Sequence, residues 1–348
     1  MQRGTHMNKR IKFNALSELW LQQATLGVTY TYKSNLESYV KHLNNAFGNQ
    51  LVVNIKPYDI DVLIQQLYIC NPNTNKPSSK KLLGNIINCA VRIFDFAIEN
   101  EVMYKNPAKN KKQSIPKNAP KKTVNAINSE QQQLVIETDH RAKIAAVIMM
   151  FMGLRTGEIL ALEWNDIDLE NYIVSVNKRL QRISGNKYIV SDGTKNGETR
   201  RVTIPKNLGA WLSKQKSIAT SYLVAPNRSG TIQTPTQWKT LWTSYQNEIN
   251  YNCYVKKCAE NGTVPESKYA PTKTPQVIAA FTPHQLRHTY ATLLYISGVD
   301  VKTASQLLGH SNITITLDIY THLDKQFQKL NIQKFDNYIK SDLDIEKI

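Results

Sequence analysis

One short segment of the chain concentrates imidazole and guanidinium groups: residues 284–292 read HQLRHTYAT. If this segment is helical, His284 and Arg287 lie three positions apart and share one face. His288 directly follows Arg287, and we expect it on a different face from His284, in a structural or supporting role. The segment therefore predicts a helix that presents one histidine and one arginine to the same side.

Two further clusters flank this segment along the chain. The first reads GLRTGE at 153–158 and places Arg155 between a buried helix and the next helix start, close to backbone N–H groups that favour an anion. The second reads LGH at 308–310 and is followed ten residues later by Tyr320. Each has an ordinary structural explanation when taken alone, such as an ion pair, a helix C-cap contact or a packed tyrosine. Their combination in this order indicates a functional site.

The ordered set resembles the tyrosine recombinases, the family of phage and integrative-element integrases and of the recombinases that resolve chromosome dimers. The resemblance extends from Asn14 to Leu323. The motifs that carry it are TGE at 156–158, HQLRHTYAT at 284–292, LLGHS at 307–311 and IYTH at 319–322. It implies a mostly α fold with a small antiparallel β-sheet in an α+β catalytic domain, and an all-α N-terminal domain.

The resemblance also implies how the scissile phosphate of DNA is held. Arg155 and Arg287 would be the two phosphate-binding arginines. His310 would hydrogen-bond the same phosphate, and Glu158 would support the site. Two planar guanidinium groups can bind the non-bridging oxygens bidentately and stabilise their developing charge without a metal ion. We therefore expect neither a metal nor a cofactor.

The remaining roles concern proton transfer. Tyr320 would be the nucleophile, and because a phenol has a pKa of ~10, it needs a base such as His284. Lys195, on a mobile hairpin, would give a proton to the departing 5′-oxygen. The 3′-phosphotyrosine would conserve the bond energy, so rejoining needs no ATP, and no Gly-x-x-x-x-Gly-Lys-Ser/Thr loop occurs in the sequence.

Between the GLRTGE cluster at 153–158 and the HQLRHTYAT segment at 284–292, the spacing of apolar residues changes from helical to alternating. Strand-type runs occupy 172–178, 187–191 and 200–204. Asn196-Gly197 is a strong two-residue turn signal and predicts a hairpin between the last two runs, with Lys195 at its tip.

The N-terminal part of the chain reads as four amphipathic helices that end at Asn106-Pro107. The following residues, 107–123, contain three prolines and almost nothing apolar, which predicts an extended basic linker or, alternatively, a solvated loop. As a linker it would cross the DNA backbone through six lysines: Lys109, Lys111, Lys112, Lys117, Lys121 and Lys122.

The predicted organisation has five parts. They are a tag remnant at 1–7, a helical core-DNA-binding domain at 8–106, the basic linker at 107–123, the catalytic domain at 124–323 and a C-terminal tail at 324–348. The tail either packs on its own domain or is exchanged between protomers. Residues 246–276 stay unassigned.

Composition agrees with a DNA-acting protein. The 348 residues carry a formal net charge of +17, which indicates a polyanionic partner. The four cysteines form no Cys-x-x-Cys pair, and the longest apolar run, 144–152, is too short to span a bilayer. We therefore expect a cytoplasmic protein that does not enter a membrane, and the resemblance implies the bacterial cytoplasm or nucleoid.

The expected partner is double-stranded DNA carrying recombination core sites, bound by a homo-tetramer with accessory DNA-bending or excision factors. Integration and excision of a phage or mobile element is the favoured function. A chromosome-dimer resolvase, which uses the same chemistry, remains an alternative function. Two less favoured alternatives are a type IB topoisomerase and a non-catalytic DNA-binding protein with an architectural or regulatory role.

Overall fold

The structure, a computed structural model, describes residues 8–121, 124–193, 199–269, 274–321, 323 and 332. The chain divides into two compact units. The first comprises residues 1–123 together with 182–187, and the second comprises 124–181 and 188–348.

Where the structure describes it, the first unit is built from four α-helices around one apolar core. The side chains of Thr29 and Ser79 cap two of them by accepting hydrogen bonds from backbone N–H groups of the first turn, and Pro57 occupies the first position of a third. The fourth helix places Ile86, Ile93 and other residues of one apolar stripe in the core. The helices are α1 Phe13–Ala24, α2 Tyr30–Phe47, α3 Pro57–Ile69 and α4 Lys80–Glu99.

The segment after α4 is packed and not extended. Ala108, Ile115 and Ala119 are buried in the same core as the four helices. The segment includes a short 3-10 turn at Lys111–Ser114, and the Lys111 ammonium lies 2.6 Å from an Asp61 carboxylate oxygen. The prediction of an extended linker is thus wrong for the described part of 107–123. Its apolar residues are few and widely spaced, so they carry no helical or strand period that reveals the packing.

The second unit is also mainly helical. α6 is apolar almost all round, so it lies in the core, where it packs against α10. Gly153 ends α6 with a φ of +67°, and a Cβ there would lie 2.3 Å from the Tyr290 ring, so only glycine fits. The helices are α5 Ser129–Glu137, α6 Lys143–Met152, α7 Thr156–Ile159, α8 Lys206–Ser217, α9 Pro235–Glu260, α10 Pro283–Ile296 and α11 Val301–Leu308. Residues 313–321 are helical as well.

Among the described residues, five short strands form two small sheets. They are β1 Ile167–Asp168, β2 Ile173–Val176, β3 Lys178–Ser184, β4 Lys187–Asp192 and β5 Arg200–Thr203. The first sheet has the order β1-β2-β5, with both pairs antiparallel, and the second consists of β3 and β4.

The predicted pairing of the last two strands is therefore wrong: β5 pairs with β2, and β4 pairs with β3 across a turn at 185–186. The buried side chains of Val174 and Val202 lie in register, so pairing β5 with β2 removes both from water. Asn196 and Gly197 lie outside the described residues.

The described part of the unassigned segment 246–276 contains the second half of α9 and residues that pack back on that helix. The Asn250 side chain accepts a hydrogen bond from the Val277 N–H at 2.9 Å and donates one to the Pro275 carbonyl at 2.9 Å. The fold class is confirmed as mostly α with small antiparallel sheets. Within the described ranges, no helix combines the length and the apolar character needed to cross a membrane.

Candidate active site

Glu158 lies at the centre of a buried cluster of polar side chains. Arg155 is the N-cap of α7, and its backbone N–H donates to Glu158 Oε2 at 2.8 Å while its Nη1 donates to Oε1 at 2.9 Å. Arg200, the first residue of β5, binds the same carboxylate bidentately, from Nη1 to Oε1 at 2.9 Å and from Nη2 to Oε2 at 2.7 Å. Burial alone would raise the pKa of Glu158, but the Arg200 and Arg155 guanidinium groups and the Arg155 N–H lower it to about 2. The carboxylate is therefore ionised at neutral pH.

Three consecutive backbone carbonyls at the C-terminal end of α11 each accept from a different arginine. Leu307 O accepts from Arg200 Nε at 3.0 Å, and Gly309 O accepts from Arg155 Nη2 at 2.6 Å. Between them, Leu308 O accepts a short hydrogen bond from Arg287 Nη2. The last carbonyls of a helix lack intrahelical partners and carry the negative end of its dipole. They therefore favour three cations at this position.

Arg287 is the most deeply placed of these arginines. It lies on α10, its residue is 3% exposed, and its Nη1 donates to the Gly153 carbonyl at 2.5 Å. Burial and the neighbouring Arg155 and Arg200 charges lower the pKa of Arg287 to about 9. Arg155 is more open, with 26% of its side chain exposed. Three guanidinium groups thus meet at the end of α11, and two of them, those of Arg155 and Arg200, bind the Glu158 carboxylate, which leaves a local excess of positive charge suited to a phosphate.

His310 and His288 are neutral at physiological pH. Burial and the charges of Arg287 and Arg155 lower the pKa of His310 to about 3, and its Nδ1 lies 2.8 Å from the buried Thr316 hydroxyl. Burial, then His284 and Arg287, lower the pKa of His288 to about 4.

The placement of His288 differs from the prediction. Its ring makes an edge contact with the His284 ring, with centroids 4.8 Å apart. The two histidines therefore share one face, because residues four positions apart lie one turn from each other on a helix.

Tyr320 is docked on the loop between α10 and α11. Its hydroxyl donates to the Val299 carbonyl at 3.1 Å, and its ring packs edge-on against Tyr295 at 5.0 Å between centroids. Burial raises the pKa of Tyr320 to about 12, with further contributions from Asp300, Tyr290 and Tyr295. The phenol is thus protonated at neutral pH, with its proton directed to a backbone carbonyl.

The structure brings together Arg155, Glu158, Arg287 and His310, and it places His284 beside His288 on α10. Lys195 and Lys122 lie outside the described residues. Of the other predicted DNA-binding lysines, Lys111 is paired with Asp61. Within the described residues, no group of three or more histidine, cysteine or acidic side chains is arranged to hold a metal ion.

Arg200 is the residue of the site that the sequence did not reveal. It lies in a short strand and belongs to none of the four motifs, and its carboxylate partner is 42 positions away. The adjacent pair Arg200-Arg201 in an alternating apolar run was the available signal, because alternation directs one of two neighbouring arginines inward.

Known proteins resemble this chain over most of its length. The model of the phage integrase family matches residues 117–326, which is more than half of the chain. The chain belongs to the phage integrase family. The resemblance to the tyrosine recombinases is thereby confirmed, and the enzyme class is that of a tyrosine-type DNA recombinase.

Two relatives and one solved structure illustrate this membership. A tyrosine recombinase XerC-like protein of Caldanaerobacter subterraneus subsp. tengcongensis is 29% identical over 313 residues, covering 84% of this chain and 73% of the relative. The ICEBs1 integrase of Bacillus subtilis is 24% identical over 347 residues, covering 95% and 84%. The Tn1549 transposon integrase in complex with transposon right end DNA shares the fold with a TM-score of 0.73 and 19% identity, covering 94% of this chain and all of that one.

Proposed function

We propose that this phage integrase family member is a site-specific recombinase that cuts and rejoins duplex DNA through a 3′-phosphotyrosine intermediate, for integration and excision of a phage or other mobile element. The observation that carries the proposal is the convergence of three arginines on the end of α11, where Arg155 and Arg200 also hold the Glu158 carboxylate. Such a set fits one phosphodiester group better than any neutral ligand.

In the proposed reaction, Arg155 and Arg287 bind the non-bridging oxygens of the scissile phosphate and stabilise the charge that develops there. His310 is neutral, so its free ring nitrogen contributes a hydrogen bond to the phosphate and no charge. Glu158 keeps the Arg155 guanidinium in place.

The Tyr320 hydroxyl attacks phosphorus and passes its proton to His284, while the bond from phosphorus to the 5′-oxygen breaks. Lys195 protonates that leaving oxygen. Rejoining runs the same steps backwards with a 5′-hydroxyl as the nucleophile, so no external energy is needed. Because Tyr320 donates to the Val299 carbonyl in this structure, cleavage requires that this hydrogen bond breaks first.

The domain roles belong to the same proposal. Residues 8–106 and 124–323 would be the core-binding and catalytic domains. The exposed lysines of 107–123 would contact the phosphate backbone, and Lys111 would contribute least because of its Asp61 partner. Four protomers would assemble on two DNA sites, with the tail 324–348 exchanged between neighbours and accessory factors setting direction. The expected compartment is the bacterial cytoplasm.

A chromosome-dimer resolvase is the second candidate, favoured by the name of the XerC-like relative. The ICEBs1 integrase, which aligns over 95% of this chain, favours the mobile-element function.

The test uses a duplex nicked beside the cleavage site, so that the released strand end diffuses away and the covalent complex accumulates. We expect a covalent protein–DNA product from the unmodified protein and none from Tyr320→Phe, which loses only the phenolic oxygen and still binds DNA. Binding without a covalent product from either protein would indicate a DNA-binding architectural protein.

A further inference from the structure

Arg200 holds three parts of the site together. Its Nη atoms donate to both oxygens of Glu158, and its Nε donates to the Leu307 carbonyl at the end of α11. Its side chain is only 8% exposed. All the donor nitrogens of this guanidinium are thus directed at protein acceptors, which distinguishes Arg200 from the more open Arg155.

The packing around Arg200 is tight. Gly309 has a φ of +62°, and a Cβ there would lie 2.9 Å from Arg200 Cδ and 3.1 Å from its Nη1. The absence of a side chain at Gly309 therefore gives the Arg200 guanidinium its path to Glu158.

We propose that Arg200 is a positioning residue: it fixes the Glu158 carboxylate, and through it the Arg155 guanidinium, against the C-terminal carbonyls of α11. This inference rests on the proposed function, since it assigns a role within the same phosphate-binding site. Arg200 does not touch the DNA; it determines where the phosphate ligand Arg155 lies.

The hydrogen-bond arrangement supports an effect on Arg155. Each Glu158 oxygen accepts one bond from Arg155 and one from Arg200, so the two arginines hold the carboxylate from two directions. Without Arg200, the buried carboxylate keeps Arg155 alone and turns toward it. The Arg155 guanidinium then moves away from the Gly309 carbonyl, 2.6 Å from its Nη2. A lysine in place of Arg200 offers one point charge where the guanidinium offers a planar fork.

The experiment measures the rate of covalent complex formation on the nicked duplex for the full chain and three variants. Arg200→Met removes the fork, Arg200→Lys keeps the charge, and Arg201→Met is the matched control on the exposed neighbouring position of β5. We expect Arg200→Met to be slower by about 10²-fold, the effect of misplacing a reacting group by ~1 Å. We expect a smaller loss for Arg200→Lys and an unchanged rate for Arg201→Met.

The pH profile separates positioning from a general loss of structure. The Arg200 charge lowers the pKa of Glu158, so its removal raises that pKa. In Arg200→Met, Glu158 is therefore protonated at a higher pH than in the wild type, and its protonation releases Arg155. The pH at which the cleavage rate begins to fall in acid should move toward neutral pH. Adding Glu158→Gln to Arg200→Met removes this pH dependence. If Arg200→Met does not fold, the same shift toward neutral pH, in smaller measure, is expected for Arg200→Lys.

A substrate with sulfur in place of the bridging 5′-oxygen completes the test. It does not need a proton donor, so it compensates for a lost general acid and not for a displaced phosphate ligand. We expect no rescue of Arg200→Met. Rescue by sulfur, or a wild-type rate and pH profile for Arg200→Met, would overturn the inference while leaving the proposed function intact. Failure of the unmodified protein to form the covalent complex would overturn both.

Discussion

Replacing Glu158 by glutamine removes the buried charge that three hydrogen-bond donor groups share: the side chains of Arg155 and Arg200 and the backbone N–H of Arg155. The pKa of Glu158 lies at about 2, against 4.5 for an unperturbed glutamate. Because a tenfold change in proton affinity corresponds to ~1.4 kcal/mol, the ionised carboxylate contributes about 3 kcal/mol to the free energy of unfolding. Loss of one partner from a buried ion pair has a similar magnitude, ~3 to 5 kcal/mol.

The sign of the pH dependence follows from the lowered pKa. The folded state binds the Glu158 proton more weakly than the unfolded state, so the contribution is fully present above the unfolded pKa of 4.5 and is lost as the pH falls toward 2. The difference in stability between the wild type and Glu158→Gln should therefore be about 3 kcal/mol at neutral pH and should shrink in acid.

Denaturant unfolding at several pH values, followed by tryptophan fluorescence, measures this difference, because Trp164, Trp238 and Trp242 are buried in the second unit. Glu137→Gln is the matched control: the same substitution at an exposed ion pair with Lys256, where we expect little change. Equal stability of Glu158→Gln and the wild type at neutral pH would refute the reasoning.

Other predictions concern the reaction and the DNA interface. Lys195→Ala should cleave a 5′-sulfur substrate at near the wild-type rate, because a thiol with a pKa of ~8.5 leaves without a proton donor. Arg155→Ala and Arg287→Ala should not be rescued by this substrate. Rescue of an arginine variant would show that the general acid is misassigned. Chelators should leave the rate of covalent complex formation unchanged, and a strict Mg²⁺ requirement of that step would contradict a phosphate site made of arginines. Neutralising Lys109, Lys112 and Lys117 together should weaken binding to specific and to unrelated DNA about equally, and should reduce the slope of log affinity against log salt by roughly one for each phosphate that is no longer neutralised. Lys111→Gln should change this slope least. An unchanged slope for the triple variant would show that these lysines do not lie in the DNA interface.

Local patterns were enough to predict the helices and the motifs. The apolar stripe of α4 and the helix at 284–292 are visible in the sequence because each spans several turns with a regular period. The order of Arg155, Arg287, His310 and Tyr320 then identified the family, which the match over 117–326 confirms.

Long-range contacts account for what the sequence could not reveal. The partner of β5 is β2 and not the strand before it, because pairing depends on which valines are buried together. The role of Arg200 arises where β5, α7 and the end of α11 meet, and no single segment contains that information. The docking of Tyr320 on the Val299 carbonyl is likewise a contact between separate segments, 21 positions apart.

The central claim is that Tyr320 becomes covalently joined to DNA at a site built from Arg155 and Arg287. The most direct measurement is mass spectrometry of the proteolysed covalent complex, after nuclease digestion of its DNA. We predict a nucleotide attached through its 3′-phosphate to Tyr320. Attachment to another residue, including Tyr290, which lies within the electrostatic reach of Arg200 and Arg287, would contradict the account.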